Sequence, residues 1–195
     1  MSVKVSTFAS NSVYEKQQTP AAILASLLYV ANRYGIQNPD DLTYRMSTVA
    51  ENKAGVDIYV TIPSNLREDG NELTVAIDYK IRRPDVQTYW DRSNNTQDFL
   101  VEHIQNKDLG WVRADKDVHV LYVFPWLQGT AGTDSNPNTY AWWVGFHMSQ
   151  ADVLLQYAID TKRKAKSAYN GHSRTSFYMF SCKDMDNTGI VYYKE

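Results

Sequence analysis

Two stretches of the chain alternate apolar and polar positions with a period of two, the pattern of strands that bury one face. In residues 55–62, Val56, Ile58, Val60 and Ile62 form one row and Asp57, Tyr59 and Thr61 the other. In residues 73–81, Leu73, Val75, Ile77, Tyr79 and Ile81 form the apolar row, opposed by Thr74, Ala76, Asp78 and Lys80. Residues 63–71 between them are rich in Pro, Ser, Asn, Asp and Gly, so the pattern predicts a long hairpin. Asp57, Asp78 and Lys80 then share one side of a sheet, the side away from the apolar rows.

Around this hairpin the periodicity changes. Residues 1–18 lack a sustained pattern and are expected to form an irregular lead-in. Thr19 and Pro20 mark a helix start, Ile23, Leu24, Leu27, Leu28, Val30 and Ala31 its apolar stripe, and Gly35 its end. Residues 42–50 read as a weak strand, and residues 96–106 as a helix with Phe99, Leu100, Val101 and Ile104 inward. Residues 118–124 form an apolar run of the kind found in a buried central strand. A strand over 140–147 is followed by a helix capped by Ser149, with Val153, Leu154, Tyr157 and Ala158 inward. Strands over 176–182 and 189–193, joined by a turn at 184–187, close the chain. Helices and strands interleaved in this way predict an α/β fold, a mixed central β-sheet flanked by helices. No repeat or low-complexity linker interrupts it, so residues 1–195 are expected to form a single domain.

Composition narrows the class of partner. Hydrophobic residues at 43% and charged residues at 22% are ordinary for a globular domain of 195 residues. No apolar run approaches a membrane span, and the first dozen residues lack a signal-peptide layout, so the expected location is cytoplasmic with no membrane partner. The lone Cys182 rules out an internal disulfide and a cysteine zinc site. With a net charge of only −2, any contact with nucleic acid has to come from a local basic patch or from bound metal.

Chemistry gathers at the hairpin. Antiparallel pairing brings Asp57 opposite or diagonal to Asp78, and Lys80, two positions on, shares the face. Two carboxylates with the backbone carbonyl between them offer the hard oxygen ligands that Mg²⁺ prefers. Lys80 would orient or help deprotonate a water beside a phosphate. Taken one at a time, such residues are most often a solvated strand face. His103, His119, His147 and His172 show neither HxH nor HExxH spacing, and His119 reads as a satisfied core residue. Of Trp142 and Trp143, which point to opposite sides of a strand, one is expected in the core. The run Lys162, Arg163, Lys164 and Lys166 fits the cationic end that a helix dipole favours.

Asp57 on the first hairpin strand, Asp78-Tyr79-Lys80 on the second, a helix before and a helix plus a buried strand after resemble the core of the PD-(D/E)xK nuclease superfamily. The likeness covers about residues 20–125, with 126–195 as a C-terminal strand and helix elaboration. It implies a restriction-endonuclease-like core and hydrolysis of DNA phosphodiester bonds with Mg²⁺ or Mn²⁺. Asp57 and Asp78 would be metal ligands, Lys80 the catalytic lysine, and a homodimer would serve cleavage of both strands. Val56 stands where the family's proline would be. The first helix, residues 20–34, carries no acid where many members have a glutamate, so Glu51 or Glu15 would replace it, Glu51 being preferred as both catalytic residue and ligand. Arg82, Arg83 and Arg92, which follow the site, are the expected DNA contacts. The missing helix acid and mild charge leave an alternative, a catalytically inactive nuclease-fold binding or assembly protein.

Overall fold

The computed structural model describes residues 8–81, 90–91, 96–97, 99–105, 108–109, 117–124, 142–169 and 174–194. In chain order its elements are α1 (Phe8–Tyr34), β1 (Thr43–Met46), α2 (Val49–Lys53), β2 (Ile58–Ile62), β3 (Leu73–Ile81), β4 (Trp90–Asp91), β5 (Thr96–Gln97), β6 (Phe99–Gln105), β7 (Asp108–Leu109), β8 (His119–Phe124), β9 (Trp142–His147), α3 (Ala151–Asp160), β10 (Lys166–Tyr169), β11 (Arg174–Phe180), α4 (Cys182–Thr188) and β12 (Tyr192–Lys194). The central sheet has six strands in the order β1-β2-β3-β8-β9-β12. It is mixed: β3 and β8 run parallel, and the other pairs are antiparallel. A four-stranded sheet, β10-β11-β6-β7, and a two-stranded ribbon, β4-β5, accompany it.

The predicted hairpin is present as β2 and β3, with Ile58 opposite Ile77 and Ile62 opposite Leu73. Its apolar row faces α1, where Ala21, Ala22, Ala25, Tyr29 and Val30 pack on Ile58, Val60, Val75, Ile77, Leu121, Val123 and Trp143. Small alanines on the buried stripe, Ala31 among them, bring the helix backbone close to the sheet. Gly145 of β9 leaves room for Tyr29, because a Cβ there would lie 2.7 Å from the Tyr29 ring and 2.9 Å from Leu121.

The opposite face is not a solvated one, as the alternation alone implies. Val120, Tyr122, Phe124, Val144 and Phe146 line it and pack against Leu154, Leu155 and Ala158 of α3, Val101, Phe180 and Met185. All six residues of β8 are therefore buried, as expected of a strand with a parallel neighbour and layers on both sides. Asp78, in register with Val120, is only 4% exposed. Val56 leaves the row that contains Ile58 and joins this second core, so β2 begins after Asp57 and not before it.

Other elements differ from the periodicity reading for identifiable reasons. Helix α1 starts at Phe8 and contains Pro20, which forfeits its own N–H bond without ending the helix. Residues 99–105 form β6 and not a helix, because the backbone finds partners along β11, and Val101 then points into the core. Residues 42–50 divide into the exposed edge strand β1 and the start of α2, whose Thr48 and Glu51 form a reciprocal capping box. The turn expected at 184–187 is helix α4, with a second capping box from Ser181 and Asp184 and a left-handed Gly189 after its end. On α3, Leu155 is inward and Val153 is 45% exposed.

Candidate active site

The site lies where β2 begins and β3 runs on past it. The Asp57 N–H donates to the Ile77 carbonyl at 2.9 Å, extending the ladder one step past the Ile58–Ile77 pair and setting Asp57 across from Asp78. Beyond this point β3 continues its pairing with β8 on the other edge, with Asp78 beside Val120 and Lys80 beside Tyr122. The Tyr79 N–H donates at 3.0 Å to Asp57 Oδ2, so a side-chain carboxylate replaces the backbone acceptor that a longer β2 would supply.

The chain reaches Asp57 from α2 through Gly55, whose φ of 86° lies in the left-handed region that favours glycine. Hydrogen bonds hold this approach: Val56 N to the Glu51 carbonyl at 3.1 Å and Ser47 N to the Asp57 carbonyl at 3.0 Å. The side-chain amide of Asn52, on α2, donates to Asp57 Oδ1 at 2.5 Å. Both Asp57 oxygens are thus held. Asn52 carries no signature of its own in the sequence; the signal that could have located it is the Thr48…Glu51 capping box, which makes residues 49–53 a helix.

Lys80 Nζ donates to Asp78 Oδ1 at 2.6 Å. Burial, and next the negative charge of Asp78, push the Asp57 carboxyl up to about 7. The Lys80 ammonium and the Tyr79 N–H pull in the other direction. Near neutral pH the Asp57 carboxyl is therefore partly protonated.

Glu51 stands elsewhere. Its Oε2 accepts from Thr48 N at 2.7 Å and from Arg45 Nη1 at 3.0 Å, and its Oε1 from Arg45 Nη2 at 2.8 Å. The Arg45 guanidinium, and next Thr48, hold this carboxyl down at about 2. Among the described residues no group of three or more His, Cys, Asp or Glu side chains converges as a metal cluster, so Glu51 is not gathered with Asp57 and Asp78. Glu15 lies in the α1 segment ahead of Pro20. Arg82, Arg83 and Arg92 lie outside the described residues.

A second polar group sits on the α1 face. Tyr29 Oη and His119 Nδ1 are hydrogen-bonded at 2.7 Å, and the His147 ring meets His119 edge-on at 4.7 Å. His147 Nε2 lies 2.9 Å from Asp117 Oδ1. Burial, with Arg33 and His147 adding like charge, lowers His119 to about 3, so this histidine is a neutral core residue. Trp143 is fully buried, and Arg163 is tied to Asp184 of α4 and to the Met179 carbonyl, which places it in the framework.

No helix among the described residues is long and apolar enough to cross a membrane. No family model matches the chain, and neither a curated protein nor a solved structure is similar to it.

Proposed function

We propose that this chain is a divalent-metal-dependent nuclease that hydrolyses DNA phosphodiester bonds, built on a restriction-endonuclease-like core and acting through Asp57, Asp78 and Lys80. The observation that carries the reading is the apposition of Asp57 and Asp78 at the start of β2, with the Lys80 ammonium 2.6 Å from Asp78. Forcing two carboxylates together in a partly buried place is costly, and it raises Asp57 to about 7. A divalent cation is the natural counter-charge for such a pair, so the donor set fits one.

Asp57 and Asp78 would hold the ion, and when bound it would supply Lewis-acid stabilisation of the charge that develops on a phosphate. The protein's own groups do the rest. Tyr79 N–H and Asn52 fix the plane of the Asp57 carboxylate. Lys80, on the same strand face as Asp78 and a third exposed, presents a cation to the incoming phosphate and orients the water that attacks it. The buried Asp78 keeps that ammonium near the reacting atoms.

One observation favours a second reading, a nuclease-fold binding or assembly protein without catalysis: Lys80 already neutralises Asp78, and no third acid joins the pair among the described residues. Incubation with plasmid, single-stranded and branched DNA in Mg²⁺ or Mn²⁺ separates the two. The nuclease reading expects cleavage that Asp78→Ala and Lys80→Ala abolish. Absence of cleavage of every substrate supports the second reading, and cleavage that both variants retain rules out catalysis at this site.

A further inference from the structure

We infer that α2 is the positioning device of this site and that Asn52 is the residue that aims Asp57 at a bound divalent cation. The inference rests on the nuclease reading in one respect, that Asp57 is a ligand. Asp57 has two oxygens, and the structure assigns a fixed donor to each: Tyr79 N–H to Oδ2 at 3.0 Å and Asn52 Nδ2 to Oδ1 at 2.5 Å. Gripped from both sides, the carboxylate cannot rotate, and the lone pairs left over are presented in one direction. Asn52 donates a hydrogen bond without adding charge, so it orients Asp57 and leaves its negative charge for a cation. Donors of this kind behind a ligand govern its affinity for metal.

An isolated five-residue helix is far too short to persist, so α2 must be held by its surroundings. Three connections do this. The capping box of Thr48 and Glu51 closes its first turn. Arg45, reaching from β1, forks onto both Glu51 oxygens at 2.8 and 3.0 Å. The same guanidinium lies 4.0 Å from the centre of the Tyr59 ring on β2. Glu51 thereby serves the site through Asn52, as the anchor of the helix that carries it, and not as a ligand.

The test measures Mn²⁺ binding by titration calorimetry on the full chain, beside thermal unfolding of the same metal-free proteins. Wild type is expected to bind and Asp57→Asn to lose binding. Asn52→Ala should weaken Mn²⁺ affinity by roughly tenfold to a hundredfold while its metal-free melting temperature stays near that of wild type. Asn52→Ser, whose hydroxyl falls short of Asp57, carries the same expectation should the alanine variant fail to fold. Arg45→Ala and Glu51→Gln should each weaken binding to a similar, smaller degree. Equal affinity in wild type and the Asn52 variants, with binding still lost in Asp57→Asn, overturns the inference and leaves the metal site standing. Binding abolished by Glu51→Gln and untouched by Arg45→Ala also overturns it, by making Glu51 a ligand. No Mn²⁺ binding by wild type ends both readings together.

Discussion

Asp57 faces Asp78 across the β2–β3 ladder, one position beyond the Ile58–Ile77 pair, so the charge of Asp78 bears on the Asp57 carboxyl. Because burial and then the charge of Asp78 raise Asp57 to about 7, replacing Asp78 by a neutral isostere removes the second cause and leaves the first. Asp78→Asn should therefore move the Asp57 titration downward, stopping short of its ordinary 3.8. A carboxyl-carbon NMR titration of the two proteins measures this. An unmoved Asp57 would mean that the carboxylates do not interact.

The hairpin that holds this pair was legible because period-two alternation is a strong signal, and Leu73, Val75 and Ile77 against Ile58, Val60 and Ile62 leave a single sensible register. The buried β8 was legible from its apolar run for the same reason. What alternation cannot give is whether the second face is wet. Asp78 and Ala76 look like solvated positions until α3 and the Phe180 and Met185 side chains are laid over neighbouring strands, and those lie more than 70 residues downstream. Residues 99–105 failed in a different way, since Phe99, Leu100, Val101 and Ile104 satisfy a helical stripe and only the ladder with β11 decides for a strand. Asn52 was invisible because its role depends on a five-residue helix set by Thr48, Glu51 and a partner on another strand, Arg45.

Arg163 joins three elements at once. Leaving the end of α3, it donates to the Met179 carbonyl of β11 and forks onto Asp184 of α4 at 2.6 and 3.1 Å. Asp184 in turn caps α4 through Ser181. With 28% of the Arg163 side chain and 13% of the Asp184 side chain exposed, the pair lies between the surface and buried extremes. Arg163→Ala should cost about 1–3 kcal/mol. Arg163→Lys should recover less than half of this, because an ammonium cannot reproduce the fork. Urea denaturation of both variants checks the order. A fully stable lysine variant would show that charge alone matters there.

At Gly145 a side chain of α1 lies directly on the sheet backbone. An added methyl would lie 2.7 Å from two carbons of the Tyr29 ring and 2.9 Å from Leu121, distances at which something must move. Tyr29 cannot yield freely, because it is fully buried and its hydroxyl is bonded to His119. Gly145→Ala is expected to cost about 1–3 kcal/mol through overpacking. Shrinking the partner should relieve the clash, so Gly145→Ala combined with Tyr29→Leu should be less destabilised than the sum of the two single changes. A double-mutant cycle by denaturant unfolding reads the coupling, and strict additivity would contradict the close approach.

Asp57 and His119 oppose each other in the pH dependence of stability. Asp57 is raised from 3.8 to about 7, so its contribution is fully present below pH 3.8 and is lost as pH rises through 7. His119 is lowered from 6.5 to about 3 by burial and then by Arg33 and His147, with Asp117 opposing, so its contribution is present above pH 6.5 and is lost as pH falls through 3. Between pH 3.8 and 6.5 the two slopes have opposite sign, each at most about 1.4 kcal/mol per pH unit, and they largely cancel in the wild type. Removing one uncovers the other. The stability of Asp57→Asn relative to wild type should rise with pH across this window, whereas that of His119→Gln should fall. Urea midpoints taken at half-unit pH steps give both curves. Parallel curves for the two variants would show that the opposition between Asp57 and His119 does not operate in the folded protein.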